Sequence, residues 1–218
     1  MIKGAIFDVD GTLLDSMAIW EEAGKRYLER LHIKAEPGLS NILFPMSLEE
    51  GASYLKETYE ISLKEEEIVK GILEVVKDYY FYEAPLKLGA ESFLKEMSQK
   101  KISMVIATSS EKSYIEAAFH RLNIDQYFSK IITCSEVGAG KSKPDIYLKA
   151  QEFLNFKPEE IYVFEDVLHA VQTAKKAGFK TVGIYDTSSE KDWETIKKTA
   201  DIFLEDLHDF SSFWKQIS

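Results

Sequence analysis

From its N-terminus the chain alternates between short apolar runs and longer segments whose apolar positions recur every three to four residues. The runs are Ile2 to Phe7, Ile102 to Ala107, Lys130 to Thr133, Ile161 to Phe164, Lys180 to Ile184 and Ile202 to Leu204. They are rich in Ile, Val, Phe and Tyr and do not alternate with polar residues, which is the pattern of strands covered on both faces. Helix-period segments lie between them: Gly89 to Gln99, Lys112 to Leu122, Pro144 to Leu154, and Leu168 to Ala177 with Gly178 as a stop signal. Strand and helix in alternation predict an α/β fold, a doubly wound parallel sheet with helices on both faces.

The stretch from Ser16 to Pro85 breaks this alternation. It shows no strand pattern and several helical ones, with Trp20, Tyr27, Leu28 and Leu31 spaced to share a face. Ser47 followed by Glu50, and Ser62 followed by Glu65, have the spacing of capping boxes that open further helices. An all-helical domain over residues 16–85, inserted into an α/β domain made of residues 1–15 and 86–218, is the expected organisation. Pro85 and Gly89 mark the return to the α/β part.

Composition narrows the function classes. The 218 residues carry 27 Lys and Arg against 37 Asp and Glu, a net charge of −10. Such a chain repels polyanions on average, so neither nucleic acid nor an anionic membrane is an expected partner. Asp8 and Asp10 interrupt the N-terminal apolar stretch that a secretory signal would need. No apolar run approaches the roughly 20 residues of a bilayer span, and a cytoplasmic location is expected. Cys134 has no second cysteine to pair with and reads as a small buried residue. Oligomeric state is not legible, and a monomer is compatible with everything above.

The candidate chemistry gathers at strand ends. The first strand runs into DVDGT, with Asp8 and Asp10 two residues apart and on one side of a chain still extended. Carboxylates held that way repel each other unless a cation lies between them, and Gly11 permits a sharp turn out of the sheet. The second strand leads to Thr108, Ser109 and Ser110, and the fourth to Glu165 and Asp166; between them lies GAGKSKPD with Lys141 and Lys143. Singly, these would read as helix caps or solvated loop residues. Together, on one parallel sheet whose ligands bind beyond the carboxyl ends of its strands, they describe one site.

DVDGT, Thr108, Lys141 and the Glu165–Asp166 pair resemble the four ordered motifs of the haloacid dehalogenase superfamily of phosphohydrolases. The helical insert resembles the cap of the branch containing phosphoglycolate phosphatases and β-phosphoglucomutases. The resemblance implies a Rossmann-like or flavodoxin-like core, a cap folding over the active site, and Mg²⁺-dependent hydrolysis of a small phosphomonoester such as a sugar phosphate, phosphoglycolate or a nucleotide. It implies Asp8 as the nucleophile, phosphorylated in passing, and Asp10 as general acid and base. Thr108 and Lys141 are the implied phosphoryl contacts, with Lys143 as the alternative lysine. The metal would be held by Asp8, Asp166, the backbone carbonyl of Asp10 and, in one of two readings, Glu165. Ser109 and Trp20 are candidate substrate contacts, although Trp20 equally suits the packing of its own helical domain.

Two departures bear on that reading. The fourth motif, commonly EDSxxG, is EDVLHA here, so Val167 and Ala170 replace a hydroxyl and a glycine. Trp20 and Leu48 stand where the mutases of that branch carry a His and an Arg, which favours plain hydrolysis over a β-phosphoglucomutase-like reaction. A noncatalytic phospholigand-binding protein is the alternative from another class. Its usual mark is a missing nucleophile or metal carboxylate, and Asp8, Asp10 and Asp166 are all present.

Overall fold

A computed structural model describes residues 2–43 and 45–217. Six strands form one parallel sheet: β1 (Gly4–Phe7), β2 (Ser103–Thr108), β3 (Ile131–Thr133), β4 (Ile161–Glu165), β5 (Lys180–Ile184) and β6 (Ile202–Leu204). Their spatial order is β3-β2-β1-β4-β5-β6. The chain builds outward from β1 to β3 and then crosses to the other side of β1 to start β4. β1 and β4 therefore flank the switch point, where the crevice of an open parallel sheet forms at the carboxyl ends. The α/β expectation holds.

Alternation along the strands divides the core in two. Phe7 pairs with Ile106 on one side and Phe164 on the other, and the Phe7 and Phe164 rings stack at 4.2 Å. Phe93 of the helix Ala90–Gln99 and Phe213 of the helix Phe210–Ile217 complete that aromatic layer. Ile6, Val105 and Val163 point to the opposite face, where Ile146, Tyr147 and Ala150 of the helix Asp145–Leu154 pack on them. By the same alternation, Asp8 and Glu165 leave their strands toward the face of Tyr147, and Asp166 leaves toward the other.

The chain divides into two compact units, Met1–Asp15 with Ala84–Ser218, and Ser16–Glu83. In the second, the helix Ala18–Arg30 packs against Glu65–Tyr82 and the short Leu39–Leu43, and Leu48–Thr58 also packs against Glu65–Tyr82. Ile19, Leu28, Leu55, Ile68, Val76 and Tyr80 are buried there, and the exposed Arg30–Asp78 and Arg26–Glu83 pairs add little to such burial.

Several details differ from the sequence reading. The Ser47–Glu50 capping box forms in both directions, whereas Ser62 caps nothing. There the Glu67 carboxylate accepts from the Lys64 amide at 2.8 Å, so the helix opens two residues later than the Ser62–Glu65 spacing suggested. Trp20 does not share the buried stripe of its helix: Ile19, Ala23, Gly24, Tyr27 and Leu28 form it, while Trp20 is 45% exposed. Cys134 is only partly buried, its Sγ 3.4 Å from Ser109 Oγ. The helices Cys134–Val137, Trp193–Thr199 and Phe210–Ile217 had no counterpart in the periodicity, being two turns or less or close to the chain end.

Candidate active site

β1 remains extended one residue past its last ladder pair, with the Asp8 amide donating to the Phe164 carbonyl at 3.0 Å. The chain then folds back on itself through Gly11–Leu14 and Leu14–Val9 backbone hydrogen bonds. Gly11 is required at that turn. Its φ is +82°, and a Cβ there would run into Asp166 Oδ2. The glycine thus lets the β1 turn and the end of β4 lie against each other.

Four ionisable side chains meet in this crevice, each nearly inaccessible to solvent: Asp8, Lys141, Glu165 and Asp166. Lys141 Nζ donates to Asp8 Oδ1 and lies 2.7 Å from Glu165 Oε1. Tyr147, from the helix that follows the Lys141 loop, donates its hydroxyl to the same Glu165 oxygen at 2.8 Å. Thr12 Oγ1 donates to Asp166 Oδ1 at 3.3 Å. Asp10, half-buried, accepts from Ser110 Oγ at 2.6 Å.

The electrostatics follow from burial. Loss of water pushes the Asp8 carboxyl up to about 7; Lys141 opposes this shift, while Glu165 and Asp10 add to it. Burial raises Asp166 too, reinforced by the charges of Asp8 and Glu165. For Lys141, burial alone would disfavour the ammonium, but Asp8 and Glu165 outweigh it and hold the group protonated above its ordinary range. Counting formal charges, one cation faces three carboxylates, so the cluster is deficient in positive charge.

A divalent cation suits that deficit. Asp8, Glu165 and Asp166 each bring one carboxylate oxygen within 4.8 Å of the other two, a spread two or three ligands of a hard cation can close with small rotations. Asp166 Oδ2 is buried with no hydrogen-bond partner among the described residues. A buried carboxylate oxygen left unpaired is strongly unfavourable unless a ligand completes it.

The structure thus brings together Asp8, Asp10, Lys141, Glu165 and Asp166. Thr108 is the fully buried last residue of β2, beside β1, and its Oγ1 accepts from the Ser110 amide at 3.0 Å. Ser109 follows it on the surface. Lys143 is exposed and takes no part in the cluster. Trp20 belongs to the helical unit. Thr12 and Ser110, which the sequence placed in the DVDGT motif and at the end of the second strand without a role, hydrogen-bond Asp166 and Asp10, and Tyr147 was not singled out from sequence. Tyr147 carried a signal of its own, a hydroxyl on the apolar face of a helix that begins four residues after Lys141.

Comparison with known proteins places this geometry. Residues 5–184 match the family of haloacid dehalogenase-like hydrolases, and the chain belongs to that family. A phosphorylated carbohydrates phosphatase of Thermotoga maritima is 30% identical over 83% of this chain and 84% of its own. Validoxylamine A 7'-phosphate phosphatase of Streptomyces hygroscopicus subsp. limoneus is 28% identical over 95% of both chains. A crystal structure from Thermotoga maritima, provisionally described as a β-phosphoglucomutase, superposes over 100% of both chains with a TM-score of 0.86 and 26% identity.

Proposed function

We propose that the protein is a Mg²⁺-dependent phosphatase that hydrolyses a small phosphomonoester through an aspartyl-phosphate at Asp8. The observation that carries this reading is the buried cluster itself, a carboxylate in direct contact with a lysine and within reach of two further acids that leave a cation-sized deficit. The names of the relatives agree in reaction class, since two of them act on phosphorylated carbohydrates and on a phosphorylated validoxylamine.

When bound by Asp8, Asp166, the Asp10 carbonyl and Glu165, Mg²⁺ supplies positive charge that neutralises the phosphoryl oxygens. The protein's own groups then divide the work. An Asp8 oxygen attacks phosphorus and the ester P–O bond breaks. Asp10 gives its proton to the departing alcohol. Asp10, again a carboxylate, next takes a proton from water as that water attacks phosphorus, which returns Asp8 and releases inorganic phosphate. Lys141 and Thr108 hold the phosphoryl oxygens during both displacements. Ser110 fixes the Asp10 carboxylate that must serve as acid and then as base. Ser109, exposed beside Thr108, is assigned to substrate contact.

Release of phosphate from an aryl phosphate tests this proposal. We expect turnover only with Mg²⁺, and a loss of at least about a thousandfold in Asp8→Asn, as for removal of other essential nucleophiles. Turnover by Asp8→Asn at the wild-type rate would refute the assignment.

A further inference from the structure

We propose that Tyr147 is a positioning residue for phosphoryl binding, its buried hydroxyl holding Glu165 on Lys141 and so fixing where the Lys141 ammonium stands. The inference rests on the phosphatase reading above, and specifically on Lys141 as a phosphoryl contact.

Tyr147 is fully buried within an otherwise apolar cluster that includes Ile6, Val105, Val163 and Phe179. Phenylalanine would fill that volume without bringing a polar atom into it, so the hydroxyl is stable there only because it has a partner. That partner is Glu165 Oε1, at 2.8 Å, and the same oxygen receives Lys141 Nζ at 2.7 Å. A carboxylate oxygen only accepts, so Tyr147 is the donor in this bond.

The catalytic cycle shows why such a donor is needed. Lys141 rests between two carboxylates, Asp8 and Glu165. Phosphorylation turns Asp8 into an acyl phosphate and removes its carboxylate charge. Glu165 is then the remaining anchor among Lys141's ion-pair partners. A buried Glu within an acidic cluster that could hold a cation has two competing destinations, the metal and the lysine. Tyr147 keeps one of its oxygens committed to the lysine, and Oε2 takes no part in either bond.

Calorimetric titration of inorganic phosphate into the Mg²⁺-saturated protein tests the proposal, with Mg²⁺ affinity measured separately and thermal unfolding confirming that each variant is folded. Tyr147→Phe keeps the ring. We expect it to weaken phosphate binding about five- to tenfold while Mg²⁺ affinity moves less than twofold. Glu165→Gln carries the same test from the other end of the bond. Because Tyr147 acts through Glu165, the double variant should bind phosphate no more weakly than Glu165→Gln alone. Unchanged phosphate affinity in Tyr147→Phe, additive losses in the double variant, or a parallel loss of Mg²⁺ affinity in Tyr147→Phe would each overturn the role. Lys141→Met separates the two layers. If it binds phosphate as the wild type does, the phosphatase assignment of Lys141 fails; if it loses phosphate while Tyr147→Phe does not, only the positioning role fails.

Discussion

Asp8 carries opposing demands. In the proposed reaction it must be ionised, as nucleophile and metal ligand, yet burial pushes its pKa up to about 7 in the absence of a cation. A carboxyl raised in the folded state favours folding at low pH, and that contribution is lost as pH rises through the folded value. The metal-free protein should therefore be less stable at pH 8 than Asp8→Asn by on the order of 1 kcal/mol or more, and the gap should narrow at pH 5. Melting curves in chelator at the two pH values check this; a wild type more stable than the variant at pH 8 would contradict it. The same proton competes with the cation. Mg²⁺ affinity, followed by titration calorimetry, should fall as pH drops below about 7, by up to tenfold per unit where one proton is displaced.

At the scale of elements, the site is made by the ends of β1 and β4 and by the turn between them and their neighbours. Gly11 is the tightest point of that construction. Gly11→Ala would place a methyl group against Asp166 Oδ2 at a φ that disfavours a side chain. We expect a loss of at least about 1 kcal/mol in stability, and we expect Mg²⁺ to raise the melting temperature of the wild type but not of this variant. An alanine variant that retains both would show that the turn has room to spare. Much of this level was legible in the sequence. All six strands were found, because covered parallel strands are continuous apolar runs, and β5 and β6 matched residue for residue. That Asp8, Lys141, Glu165 and Asp166 would lie together was legible because they stand at strand ends and in a loop beside them. What escaped depends on side-chain direction in three dimensions. Tyr147 drew no reading from the sequence, and only the alternation that sends Glu165 toward its helix reveals the hydroxyl's partner. Trp20 looked like part of a buried stripe, whereas Ile19 takes that place one residue earlier.

For the whole molecule, the remaining question is which phosphomonoester is turned over and whether the phosphoryl group ends on water. The proteins it is similar to carry names of both kinds: a phosphatase of phosphorylated carbohydrates and a structure provisionally described as a β-phosphoglucomutase. The resemblance drawn from sequence implies that Trp20 and Leu48 stand where a mutase would carry the proton shuttle and phosphate clamp for a bisphosphate intermediate. Hexose 1-phosphate should therefore yield free phosphate and no 6-phosphate by NMR; isomerisation without phosphate release would assign the mutase reaction instead. The most direct measurement follows Asp8 itself. Turnover of an aryl phosphate with Mg²⁺ would be stopped in acid, treated with borohydride, and the peptide containing residue 8 sequenced by mass spectrometry. An acyl phosphate at Asp8 is reduced there to homoserine, so we expect homoserine at position 8 only when substrate and Mg²⁺ are both present. Unmodified aspartate at position 8 during full turnover, with homoserine at another position, would contradict the mechanism at its centre.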